Sequence, residues 1–146
     1  MSKSMFVGAA LLLSLPAQAT DLSGYYAITQ TPYQSDPQNY CLKLKSDGHS
    51  TKDTDQGTAL MLSTSDSQTH FKYLGQYQLY YSHLSVVLGN HGKYARDWFL
   101  MTADFKKQEW MNGVFYDYNT GAAKNKKNIQ AYNGTFTATP QQTSCK

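Results

Sequence analysis

The sequence predicts an all-β fold: an antiparallel meander of about eight strands, closed into a barrel or folded into a sandwich, with one disulfide. Three observations predict it. Apolar residues recur at every second position, turn-forming residues interrupt the chain at short intervals, and two cysteines stand far apart in a segment that reads as exported. Past the first nineteen residues, no stretch carries an i, i+3, i+4, i+7 stripe longer than two turns.

Residues 1–19 read as a bacterial signal peptide. Lys3 supplies the positive end, an apolar run follows from Met5 to Leu15, and Ala17-Gln18-Ala19 carries small residues at −3 and −1. The run is shorter than the roughly 20 apolar residues a membrane span needs. Cleavage after Ala19 leaves Thr20 as the first residue of a single domain, 20–146, in the periplasm or outside the cell. Export favours disulfides, and Cys41 and Cys145, with no CxxC spacing, read as one structural bridge. The loop between them exceeds a hundred residues, so closing it stabilises by about 4–5 kcal/mol in the chain-entropy model.

The clearest strand runs over 71–81. Phe71, Tyr73, Gly75, Tyr77, Leu79 and Tyr81 share one face, while Lys72, Gln76 and Gln78 share the other. In 40–45, Tyr40, Leu42 and Leu44 alternate with Cys41, Lys43 and Lys45, which places the bridge on the outer, polar face. Further strands are expected over 24–30, 59–64, 84–88, 97–104, 110–118 and 129–139. Short connections between them favour neighbours that pair in order, and closure would remove the sheet edges.

Two Asn-Gly pairs, Asn112-Gly113 and Asn133-Gly134, allow either a hairpin turn or one long strand bent at glycine. A shared pattern favours the long strand. Leu22-Ser23-Gly24-Tyr25-Tyr26, Met111-Asn112-Gly113-Val114-Phe115 and Tyr132-Asn133-Gly134-Thr135-Phe136 each read apolar, small polar, Gly, any residue, aromatic. The polar segment 46–57 reads as a mobile loop, and Lys124, Lys126 and Lys127 as a solvated hairpin tip.

Recognisable catalytic chemistry is scarce. Asp53-Thr54-Asp55-Gln56-Gly57 begins like a calcium loop, but position 64 is Thr64 where the closing Glu would fall. His49, His70, His83 and His91 form neither H-x-x-x-H nor H-E-x-x-H, so no metal site or cofactor is expected. No paired carboxylates, G-x-S-x-G, P-loop or Rossmann pattern occurs, so a binding protein is favoured over an enzyme. Without Lys3, twelve basic residues against ten acidic ones leave +2, too slight a charge to suggest nucleic acid.

Aromatics dominate instead. Nineteen remain past residue 19, twelve of them Tyr, against one Arg (Arg96) and one Glu (Glu109). Tyr73, Tyr77, Tyr81, Trp98, Trp110 and Tyr116 are the candidates for a ligand cavity or a partner surface. The expected function is therefore an exported, non-catalytic protein that binds a small ligand or a protein partner. An inhibitor or immunity-type protein is the first alternative, and an enzyme with an unrecognised site the second.

Asp21-Leu22-Ser23-Gly24-Tyr25-Tyr26 resembles the opening strand of lipocalin-like (calycin-type) barrels, a glycine, any residue, then a large aromatic. The resemblance implies an up-and-down barrel with a ligand cavity at one end. Tyr26 stands where the family has tryptophan, and Arg96 falls too early to match the family's late arginine. Exported bacterial lysozyme inhibitors are also small disulfide-linked β-domains, but no inhibitory loop motif is present.

Overall fold

The structure, a computed structural model, describes residues 19–34, 36–63, 72–90, 97–107, 109–119, 130–143 and 145. Residues 1–18 of the expected signal peptide, His70, Phe71, His91, Arg96, Lys124, Lys126 and Lys127 lie outside the described residues. Eight strands follow in chain order: β1 (Gly24–Pro32), β2 (Gln38–Ser46), β3 (Thr54–Ser63), β4 (Lys72–Tyr80), β5 (His83–Asn90), β6 (Asp97–Lys106), β7 (Glu109–Asn119) and β8 (Gln130–Gln141). Each pairs antiparallel with the next, and β8 returns to β1, from Tyr25↔Gln141 to Pro32↔Gly134. The meander is a closed barrel, not a sandwich.

Period-two alternation puts Tyr26, Ile28, Leu42, Leu44, Met61, Tyr73, Tyr77, Leu79, Val86, Leu88, Phe99, Met101, Phe115 and Phe136 inside. The outward residues of β1, β2 and β8 include Thr29, Lys43, Lys45, Thr135, Thr137 and Thr139. On these three strands the apolar inner side and polar outer side are the reverse of a membrane-spanning barrel. Among the described residues, no helix is long and apolar enough to cross one.

Both Asn-Gly pairs lie inside long strands, but differently. Residues Asn112 and Gly113 of β7 face the single residue Ala103 of β6, between Thr102↔Val114 and Asp104↔Met111. This is a β-bulge, and Asn112 holds its left-handed φ of 54°. Gly113 and Gly134 are required by close approach. Gly113 pairs with Phe136 and Gly134 with Phe115, and a Cβ on either glycine would fall 2.9 Å from the opposing ring. The Gly-x-aromatic spacing, met by itself on an antiparallel neighbour, thus produces two reciprocal glycine–ring pairs.

Three expectations change. Strand β3 begins at Thr54, because Asp55 continues inward the face set by Ala59 and Met61. The loop left, 47–53, is tied down rather than loose: Asp47 N donates to Gln56 O, and Thr51 N donates to Thr54 O. Tyr81 leaves the 71–81 strand. It sits in the two-residue turn between Tyr80 and His83 with φ 54°, and its ring is 62% exposed. Pro140, expected beyond the last strand, belongs to β8, which pairs only with β1 past Phe136 and so tolerates a residue without N–H.

Candidate functional site

The six candidate aromatics do not converge. Tyr73 and Tyr77 are buried inside; the Tyr73 ring stands edge-on to Phe99 with centroids 4.7 Å apart. Trp110 is half-buried against the core, its ring 4.8 Å from Tyr26 and 6.1 Å from Phe136. The bulge turns it inward, because the extra residue reverses the side-chain parity of β7 on either side of Asn112. Trp98 and Tyr116 face outward and Tyr81 lies at a turn, all exposed. The single cavity in which these rings would meet is not formed.

The disulfide is formed. Cys41 and Cys145 are bonded with Cα atoms 5.3 Å apart, and Cys41 points outward from β2 beneath the tail. The Cys145 Sγ rests 3.3 Å from the carbonyl oxygen of Tyr26, a contact without a proton since the sulfur is bonded.

At the end of the barrel where β1 starts, a buried carboxylate gathers the chain. Asp55 is 1% exposed and accepts five hydrogen bonds. Leu22 N and the Tyr77 hydroxyl donate to Oδ2, each at 2.8 Å. Ser46 Oγ at 2.7 Å, Ser50 Oγ at 2.9 Å and its neighbour's amide, Gln56 N, at 2.9 Å donate to Oδ1. Leu22, wholly buried, stops this end, and Thr20 N donates to Thr51 O. Burial, and then the charges of Asp21 and Asp55, push the Tyr26 phenol up to about 12. Burial and the bond to Asp55 raise Tyr77 as well. Every polar atom of this carboxylate is engaged, so the cluster is a plug rather than a reactive centre. Sequence reading put Asp55 in a polar loop rather than in the interior; the alternation of Ala59 and Met61, run back two positions beyond Gly57, would have placed it inward.

The exposed aromatics collect on the outer wall. Reading across paired positions, Leu60 faces Leu74, Leu74 faces Gly89, Gly89 faces Trp98 and Trp98 faces Tyr118. A second row runs Gln76, Val87, Leu100 and Tyr116. Leu62, Leu74, Val87, Trp98, Tyr116 and Tyr118 are all exposed, Trp98 by 52%. Between Leu74, Gln76, Val87 and Trp98 lies a depression of about 390 Å³, with Trp98 flat against Gly89. Of the described side chains in these two rows, none is charged. Lys43 and Lys45 of β2 border these rows, Lys43 opposite Leu60 and Lys45 opposite Thr58, with Lys43 over the Tyr25 ring.

Among the described residues, no group of three or more His, Cys, Asp or Glu is placed to hold a metal ion. Comparison with protein-family models, with curated proteins and with solved structures finds no match to this chain.

Proposed function

We propose that this is an exported, non-catalytic binding protein that meets a protein partner with the outer wall of β3–β7. The observation that carries the reading is the uneven wall: an uncharged band of Leu74, Val87, Trp98, Tyr116 and Tyr118 across β4–β7, bordered at β2 by Lys43 and Lys45, with the threonines of β8 and β1 on the far side. Aromatic enrichment and depletion of charge mark the centres of protein interfaces. The depression beside Trp98 suits a partner's apolar side chain as anchor. A closed barrel has no free strand edge, so the partner is held by side chains rather than by strand addition. The disulfide suits an oxidising compartment, and the signal-peptide reading of 1–19 supports export. The closed meander and the Gly24-Tyr25-Tyr26 opening support kinship with lipocalin-like barrels, in which this chain would have traded the cavity for the wall.

A photo-reactive residue at Leu74 or Tyr116, with Thr137 of the opposite wall as control, tests this in the native host. The expected result is one adduct from 74 and 116, absent from 137, and lost when Trp98→Ala is added. No adduct from the band, or equal adducts from both walls, overturns the reading. An adduct of twice the chain mass would replace the foreign partner with a second copy.

A further inference from the structure

Beside the apolar band, toward the plugged end, the same wall turns polar and concave. Two rows of paired residues build it: Gln78, Ser85 and Thr102, then Tyr80, His83 and Asp104 on β4, β5 and β6. They enclose a depression of about 390 Å³ that Asn112, lifted by the bulge, closes from β7. A second depression of about 410 Å³ adjoins it, sharing Gln78 and Ser85 and adding Asp47, Gln56, Thr58 and Gln76. Together they cross five strands, a run on the order of 20 Å at ordinary strand spacing.

The polar groups are held in place before any ligand arrives. Asn112 Nδ2 donates to Asp104 Oδ2 at 3.0 Å, and His83 Nδ1 lies 3.4 Å from Asp104 Oδ1. Gln56 Nε2 donates to Asp47 Oδ2 at 2.7 Å. Both amides hold their carboxyls below the ordinary range, so both stay ionised acceptors. The Tyr80 ring, 58% exposed at one end, is braced edge-on by Tyr81 with centroids 4.7 Å apart.

We propose that this groove binds a neutral linear oligosaccharide. Apart from Val87, its outward side chains are amides, hydroxyls, two carboxylates and the His83 imidazole, groups that match the paired donors and acceptors of sugar hydroxyls. Tyr80 offers an amphipathic face for the C–H side of a sugar ring. Neither depression is lined by Lys or Arg and each is lined by a carboxylate, Asp104 or Asp47, so a phosphate backbone or an acidic glycan meets like charge there. The length, two joined depressions rather than one pit, suits a chain rather than a single sugar. The inference rests on the polar residues of the groove, which meets the apolar band at Gln76 and Val87.

Amide shifts of the labelled protein, titrated with cellohexaose, xylohexaose and chitohexaose, test it. At least one of the three is expected to move Gln78, Tyr80, His83, Ser85, Thr102 and Asn112 at millimolar concentration. Tyr80→Ala and Asp104→Asn should each weaken that binding by about tenfold or more. Thr137→Ala, on the far wall, and Trp98→Ala, in the band, should leave it unchanged. No shift with any of the three at about 10 mM, or shifts centred on Trp98 instead, overturns the proposal. So does binding that survives both groove substitutions.

Discussion

Asp55 is the residue on which the plugged end depends. A buried carboxylate is costly to desolvate unless its oxygens are fully paired, and here five donors pair them. Truncation would leave the Tyr77 hydroxyl and the Leu22 amide buried without their acceptor. Asp55→Ala should therefore destabilise by about 3 kcal/mol or more, and Tyr77→Phe, which removes one donor, by about 1 kcal/mol. Urea titration of both variants gives the check; equal, small losses would contradict the arrangement. The tyrosines add a pH limit. Tyr26 and Tyr77 bind their protons more tightly folded than unfolded, where the ordinary value is 10. Their contribution to stability is complete below pH 10 and is lost as pH rises through the raised folded values. Tyrosinate absorbance from these two rings should then appear only with unfolding. At this scale the sequence is only partly readable. Tyr77 faces inward as its period predicts, but nothing local reveals that its hydroxyl meets a carboxylate 22 positions earlier.

At the scale of elements, the glycines and the bulge decide how β7 and β8 run. The long-strand reading of both Asn-Gly pairs follows from the repeated Gly-x-aromatic spacing, since a hairpin turn would waste the aromatic two places on. The bulge is not readable in the same way. It exists because β6 opposes two residues with one, and that registry is set by the partner strand. Its consequence is Trp110, which faces inward only because one extra residue precedes Gly113. Deleting Asn112 from a Trp98→Phe background should expose the Trp110 ring. The emission of that one tryptophan should shift to the red, and quenching by acrylamide should increase. An unchanged spectrum would show that parity is not what turns the ring. Gly134→Ala is the companion test. Its Cβ would come within 2.2 Å of Thr31 O, a backbone atom that cannot step aside. A loss of about 2 kcal/mol or more is expected, within the range seen for overpacking.

For the whole molecule, the critical joint is β1 against β8, the pairing with the greatest separation along the chain. Every other pairing joins sequence neighbours, so loop closure costs least there and most at this seam. The alternation at Cys41 and the absence of apolar residues near Cys145 were enough to place the bridge on the outer wall. That the tail would cross β1 on its way to β2 needed the closed topology. Cys145 contacts the Tyr26 backbone of β1 and bonds to Cys41 of β2, so the tail straps three adjacent strands, β8, β1 and β2, over the seam. Past Phe136, β8 has no partner on its other side, which makes the strap its second attachment. Joining residues 104 apart stabilises by about 4–5 kcal/mol. The paired variant Cys41→Ser with Cys145→Ser should melt on the order of 15 °C lower, and reductant should not lower it further. Location separates a seam strap from a general constraint on the unfolded chain. In the double variant, hydrogen exchange should rise first at β1 and β8 amides such as Ala27, Thr29, Thr137 and Thr139, while β4–β6 keeps its protection relative to global unfolding. Uniform loss across all eight strands would assign the bridge to chain entropy alone.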